Sequence, residues 1–294
     1  MPRVWTIVLA AGHGRRLAEV TGGLPKQFWC ARGQTTLLEN TLERLAPLTA
    51  PERTVVVVDK SHEPYVRPLG LGAEHVLFQP RDRGTAAGVL LSILPILDAD
   101  PDAVIVMSPA DHGVGQVGLF RSGIAKAVSR VARRGSGIVL AAAEPSAVDG
   151  SFGWIQPGRP SRNPAFRAVA AFVEKPGPAR ARALLQRGAV WNTMVLVAPV
   201  QSLCQLIANR QPELYAALSE AWRHTEWPRA ESLARAYARL PAIDFSQDVV
   251  TGTEGLEVFT WPVSMGWSDL GTPKRLFAWL EAPDQARRTS ISAA

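Results

Sequence analysis

The sequence predicts an α/β fold built on a mixed, mostly parallel sheet with helices on both sides. Three observations carry this prediction. Short apolar runs at 4–9, 54–58, 104–107 and 138–142 alternate with longer stretches of helical spacing through the first half. The run 54–58 is β-branched throughout, the pattern of a parallel strand buried on both faces. The first run empties into a small, glycine-punctuated loop, Ala10-Ala11-Gly12-His13-Gly14. In sheets of this kind ligands bind outside the carboxyl ends of the strands.

In order along the chain, the strand 4–9 and its loop are followed by Arg15, Arg16 and, after a glycine pair, Pro25-Lys26-Gln27-Phe28. Glycines let backbone N–H groups turn outward as an anion nest, and arginine and lysine just beyond suit phosphates. A tight turn with solvated basic residues explains the same loop equally well. Residues 36–48 place Leu37, Leu38, Thr41, Leu42, Leu45 and Leu48 on one face of a helix. Strands are expected at 54–58 and 75–78. Residues 79–87 read as a polar loop leading into an apolar helix, 88–97, which Pro95 is expected to kink or end. The strand 104–107 has Ser108-Pro109-Ala110-Asp111-His112 just past its end; a helix, 117–134, and a strand, 138–142, follow. This alternation reads as βαβ units in a Rossmann-like sheet.

The second half changes character. Strands are expected at 151–156, 166–174, 194–197 and 256–263, and helices at 179–187, 200–210, 212–224 and 229–239. Residues 158–164 read as a loop, and 285–294 as a frayed, flexible tail. No internal repeat interrupts the chain, so residues 1–284 are expected to form one domain, with halves 1–145 and 146–284 sharing a sheet.

The chain of 294 residues is long enough for a sizeable core, and its 47% hydrophobic and 20% charged residues are ordinary for a soluble protein. The net charge of +6 suits an anionic substrate. It is spread along the chain without a basic run, so no nucleic-acid tail is expected. Cys30 and Cys204 are too few for a disulfide framework or a zinc site, which makes a reducing cytoplasm the expected location. Cys30 is expected to be buried. The N-terminal apolar run is too short for a signal peptide, and nothing approaches the roughly 20 apolar residues of a membrane span.

Asp111, at a strand end, suits Mg²⁺ held with substrate phosphates, or equally a helix N-cap. Asp269, before Gly271-Thr272-Pro273, is turn chemistry unless it reaches Asp111 as a second ligand. Glu174-Lys175-Pro176 closes a strand, where an acid and a base suit a sugar hydroxyl and a phosphate, or form a surface ion pair. Trp191-Asn192 precedes the strand at 194; Asn192 suits a hydroxyl or a turn.

Together these segments resemble the sugar-nucleotide nucleotidyltransferases, most closely the mannose-1-phosphate guanylyltransferases. The resemblance rests on six segments in order: Leu9 to Leu17 with Pro25 to Phe28, Gln79 to Ala86, Pro109 to His112, Phe172 to Pro176, Trp191-Asn192, and Trp267 to Thr272. It implies a fold of the nucleotide-diphospho-sugar transferase type, a nucleotide-binding first half and a sugar-phosphate-binding second half. It also implies that Ala10, Ala11, Gly12, Gly14, Arg16, Gln79, Arg83, Gly84 and Thr85 bind the nucleotide. Gly153, Glu174, Lys175 and Asn192 would bind the sugar phosphate. Arg16, Lys26, Asp111 and Lys175 would be catalytic, and Asp111 and Asp269 would hold Mg²⁺. The implied substrates are GTP and mannose 1-phosphate, with neither nucleic acid nor membrane as partner and with a homodimer allowed. Two departures stand out: Ala18 where many relatives have proline, and Met194 where the family carries glycine. The chain ends soon after the last motif, so no C-terminal β-helix or isomerase domain is expected. The neighbouring reading is the same chemistry on another pair, glucose 1-phosphate with dTTP or UTP. A non-catalytic sugar-nucleotide sensor is the reading from a different class.

Overall fold

Alternation along each strand divides the apolar runs between two cores. The computed structural model describes residues 3–31, 33–71, 76–223 and 229–281. Its strands are β1 (Val4–Leu9), β2 (Thr54–Asp59), β3 (Val76–Gln79), β4 (Val104–Pro109), β5 (Val139–Ala143), β6 (Trp154–Pro160), β7 (Arg167–Val173), β8 (Val190–Pro199) and β9 (Glu257–Trp261). The α-helices are α1 (Ala18–Thr21), α2 (Leu37–Leu45), α3 (Glu63–Val66), α4 (Gly84–Ala99), α5 (Val117–Arg134), α6 (Pro178–Gln186), α7 (Val200–Arg210), α8 (Pro212–Arg223), α9 (Arg229–Arg239) and α10 (Pro273–Glu281). Ile7, Val55, Val57, Ile105 and Met107 face one core with α4, α7, α8 and α9. Val8, Val56, Val58, Val104 and Val106 face the other with α2 and α5. Each such buried side chain contributes roughly 1.5–3 kcal/mol.

The strands form one sheet in the order β3-β2-β1-β4-β8-β5-β9-β7-β6. β1 runs parallel to β2 and β4, and β2 to β3, as βαβ connections require. The parallel character is concentrated there. β8 inserts antiparallel between β4 and β5, and β6 and β7 pair antiparallel at the far edge. Among the described residues no β-helix follows the sheet, and no helix is long and apolar enough to cross a membrane.

Several expectations need correction. α4 begins at Gly84, so half of the expected loop 79–87 is helical, and it passes through Pro95 to Ala99. α4 is apolar around most of its circumference and buried, so packing outweighs the hydrogen bond that proline removes. β6 continues to Pro160, into the first three residues of the expected loop 158–164, with register shifts that accommodate its prolines. Trp191-Asn192 lies inside β8. A π-helical turn, Phe245–Val250, occupies a stretch with no local signal. Cys30 is exposed on a turn, while Cys204 is buried. His75, His224 and the expected tail lie outside the described residues.

Glu257 ties the far half of the sheet to α5. Its carboxylate receives Arg130 at 2.7 and 3.1 Å, Arg134 at 2.9 Å and the Ser161 hydroxyl. The Arg130 hydrogen bond leads in holding this carboxyl down at about 2 from an ordinary 4.5, against the opposing effect of burial. A depressed carboxyl stabilises the fold fully above its unfolded value. That stability is lost as pH falls from about 4.5 toward 2. We expect Glu257→Gln to cost on the order of 1–3 kcal/mol at pH 7 by urea unfolding, between exposed and fully buried pairs. The gap from wild type should close as the pH falls below 3.

Candidate active site

The glycine loop is held from beneath by the turn Lys26–Phe28. Gly14 has φ +62°, and a Cβ there would fall 2.8 Å from the Lys26 nitrogen, so only glycine fits. The buried Gln27 amide donates to the carbonyls of Ala10 at 2.6 Å and Gly12 at 2.8 Å. Sequence reasoning gives Gln27 no role of its own, yet it is the strut that shapes the loop. Arg15 and Arg16 stand exposed on the 3-10 turn that follows, and His13 lies 4.0 Å from Asp59.

Above the loop opens a cleft of about 380 Å³, at the carboxyl ends of β1, β3 and β4. Ala11 and Gly12 line it from β1, and Gln79, Gly84 and Thr85 from β3 and the start of α4. Asp111 and His112 line it from the end of β4. Ala10 is buried behind the loop, its N–H bonded to the Val57 carbonyl at 2.8 Å. Gly84 has φ +78°, and a Cβ would meet the Ile243 carbonyl oxygen at 2.2 Å. Thr85 Oγ1 accepts the Phe245 N–H at 2.7 Å, and buried Gln79 accepts from the Tyr237 hydroxyl at 3.3 Å. Arg83 is not brought to the cleft. Its guanidinium donates to the carbonyls of Tyr237 and Ala238, at the C-terminal end of α9, where a cation complements the helix dipole. Asp82, Met194 and Asp244 also line the cleft and were not among the sequence-derived candidates. Asp244 caps the π-helical turn by accepting from the Gln247 N–H, and no periodicity marks that turn in the sequence.

Lys26 brings the ends of the chain together. Its ammonium lies 2.9 Å from Asp111 Oδ2 and donates to the backbone carbonyl of Asp269. Reciprocal hydrogen bonds between Gly113 and Ser268, at 2.8 and 3.0 Å, pin the Asp269 segment to the end of β4. Burial pushes the Asp111 carboxyl up. The charge of Lys26, with lesser help from His112 and from hydrogen bonds, more than offsets this, and the group sits below its ordinary value. Burial pushes His112 down to about 4 despite the opposing pull of Asp111. His112 is therefore neutral at pH 7, and the Trp267 indole N–H that donates to its Nδ1 at 3.3 Å places the proton on Nε2. The Asp269 carboxylate is held by its own neighbours. Arg275 reaches it at 2.9 Å and the Gly271 N–H at 3.0 Å.

Among the described residues no cluster of three or more His, Cys, Asp or Glu side chains forms a metal cage. Magnesium requires only one or two carboxylates completed by substrate phosphates. Asp111, a partly exposed hard-oxygen donor lining the cleft, fits that requirement; Asp269 lies on the adjoining segment with its carboxylate paired to Arg275.

The sugar-side candidates meet where β6 begins, β7 ends and β8 bulges. A Cβ on Gly153 would lie 2.6 Å from Glu174 Oε2 and 3.3 Å from the Asn192 Cβ. The Asn192 N–H bonds the Gly153 carbonyl at 2.8 Å. Glu174 Oε1 pairs with Lys175 at 3.0 Å, while its buried Oε2 has no hydrogen-bond partner. The described non-glycine residues with positive φ are Lys175 (+43°), Met194 (+59°) and Leu270 (+48°). Each adjoins a candidate: Glu174, the Asn192 bulge or Asp269. Left-handed backbone costs an L-residue about 1–2 kcal/mol, and such strain gathers at functional sites. A larger cavity of about 700 Å³, lined by Phe152, Trp191, Trp267 and Arg275, does not touch the glycine loop or Asp111.

These features define an α/β protein whose ligand cleft lies where β2 and β4 flank β1, at a topological switch point. Residues 5–285 match the nucleotidyl transferase family, and the chain belongs to it. It is similar to the xanthan biosynthesis protein XanB of Xanthomonas campestris pv. campestris (strain B100), with 27% identity over 282 residues, 92% of this chain and 58% of that one. It is similar in the same measure to the mannose-1-phosphate guanylyltransferase of Escherichia coli (strain K12), at 27% over 282 residues, 92% and 58%. A solved structure named as a mannose-1-phosphate geranyltransferase from Thermus thermophilus matches with a TM-score of 0.81 and 30% identity, over 92% of this chain and 76% of that one. The chain thus spans 58% of the length of these curated relatives.

Removing the Gln27 strut leaves the buried Ala10 carbonyl and the partly buried Gly12 carbonyl without their donor. Gln27→Ala is expected to lower stability by about 1–3 kcal/mol in thermal or urea unfolding. It should also weaken nucleotide binding in calorimetry, because the loop loses its support.

Proposed function

We propose that this chain transfers a guanylyl group from GTP to mannose 1-phosphate, releasing pyrophosphate, in a Mg²⁺-dependent in-line displacement. The observation that carries this reading is a single juxtaposition. A glycine loop, a buried lysine and an aspartate meet at one cleft, and a glycine–glutamate–asparagine group lies beyond Met194, which lines that cleft. The names of the relatives point the same way.

In this reading the backbone of Ala11 to Gly14, backed by buried Ala10, cradles the nucleotide phosphates and Arg16 adds charge from the rim. Gln79, Gly84 and Thr85 face the base or ribose. Glu174, with one buried oxygen unpaired, and Asn192 receive sugar hydroxyls in the space that Gly153 leaves open. Lys175 neutralises the sugar phosphate. A phosphate oxygen of the acceptor attacks the α-phosphorus of the nucleotide, and the bond to the bridging oxygen of pyrophosphate breaks. A phosphate monoester is already an anion, so the attack needs no general base. What it needs is alignment of two mutually repelling anions, which Lys26, Arg16 and Lys175 supply. Asp111 would hold Mg²⁺, with Asp269 joining it on release from Arg275, and the bound ion would neutralise charge on the phosphates. Met194, in place of the family glycine, favours keeping a second pair in view, glucose 1-phosphate with dTTP or UTP.

The test is pyrophosphate release across four nucleotides and a panel of sugar 1-phosphates. Preference for a pair other than GTP with mannose 1-phosphate would overturn the substrate assignment. Asp111→Asn is expected to reduce turnover by on the order of 10²–10³ with the fold intact by circular dichroism; unchanged turnover with Mg²⁺ would refute its metal role. Gly153→Ala drives a methyl against Glu174 and should raise the KM for sugar phosphate about tenfold or more, with nucleotide affinity unchanged in calorimetry.

A further inference from the structure

Met194 stands where the cleft meets the sugar-side residues, and its backbone is one that glycine, not methionine, prefers. The strand β8 bulges here: Ala141 pairs with Val195, but Ala142 pairs with Asn192, leaving Thr193 and Met194 as extra residues. Thr193 turns inward and donates to the Ala141 carbonyl at 2.6 Å. Met194 takes φ +59° and projects into the cleft that Gly88 and Asp111 also line.

The side chain is held there. Ser246, on the π-helical turn, donates from Oγ to the Met194 sulfur at 2.8 Å. The same hydroxyl accepts from Asn192 Nδ2 at 3.4 Å, and the Met194 N–H donates to Asn192 Oδ1 at 3.2 Å. Asn192, Met194 and Ser246 therefore form a closed ring of contacts between the phosphate end of the cleft and the Gly153–Glu174 pair. A strained residue kept in place by side-chain contacts, between the cleft and the Gly153–Glu174 pair, fits a role in selecting the acceptor.

We propose that Met194 is a specificity-determining residue. Its thioether side chain limits the size of ring substituents on the acceptor, so hexose 1-phosphates bearing only hydroxyls are admitted and those bearing an acetamido group are rejected. This rests on the proposed nucleotidyl transfer to a sugar 1-phosphate. The bulk of one side chain in a binding site discriminates by about 10–200-fold per methylene-sized change.

The experiment compares mannose 1-phosphate with N-acetylmannosamine 1-phosphate, which share configuration at C2, both with GTP and Mg²⁺, in wild type, Met194→Gly and Met194→Ala. Glycine removes both the bulk and the backbone strain. Alanine removes only the bulk. Both variants are expected to raise the kcat/KM ratio of the acetamido sugar over mannose 1-phosphate by about tenfold or more, chiefly through KM. A ratio unmoved in both variants overturns the proposal. A gain in the glycine variant alone also overturns it, because backbone relief and not volume would then be responsible. Calorimetric binding of the two sugar phosphates to the free protein reads the same ratio without turnover. If no variant turns over either sugar, the proposed activity fails, while the binding ratio still decides the role of Met194.

Discussion

The Lys26 ammonium is the interaction on which the site depends. Lysine is only 5% exposed here, and a buried cation without partners would be costly enough to disrupt its surroundings. Its partners come from two distant places: the Asp111 carboxylate at the end of β4 and the Asp269 carbonyl near the C-terminal helix. Behind it, Gly14 packs against its backbone, and the neighbouring Gln27 binds the carbonyls of the loop. One turn thus sets the shape of the glycine loop, the position of Asp111 and the docking of the Asp269 segment. The Gly113–Ser268 bridge secures that docking from the other side.

The two sides of the site are built by different means. On the nucleotide side, conformational freedom is used at glycines: Gly14 and Gly84 adopt positive φ and lie so close to neighbouring backbone that no other residue fits. On the sugar side, Lys175 and Met194 take similar backbone conformations without being glycine, as does Leu270 beside Asp269. Their strain is held by pairing and packing: the Glu174 ion pair, the Ser246 and Asn192 contacts, and the burial of Leu270. The glycine side is shaped by steric necessity, and the acceptor side by compensation among neighbours.

Charge placement follows the same division. Asp111 is held ionised by Lys26, and His112 is held neutral by burial and by the Trp267 indole. With its imidazole neutral, His112 adds no charge to a cleft lined by the carboxylates of Asp82, Asp111 and Asp244. Arg275, by contrast, is committed to Asp149 and Asp269 and stacks 4.5 Å from the Phe152 ring. Arg83 is likewise committed to the end of α9. Both arginines serve the frame more than the cleft.

Local pattern was enough to set most of the elements of the first half and the order of the motifs. Strand and helix periodicities report which faces are buried, and burial is local to each segment: residues 54–58 became the core of β2, and 117–134 became α5 residue for residue. The assembled fold alone placed β8 between β4 and β5 and made Pro95 tolerable within α4. It also turned Arg83 from the cleft and brought Met194 and Asp244 into it. Those outcomes depend on contacts between segments far apart in the chain. An arginine in a loop reads the same whether its partner is a phosphate or the last carbonyls of a helix. A methionine after Trp-Asn-Thr carries no mark of the left-handed turn it must adopt until the strand beside it sets the bulge.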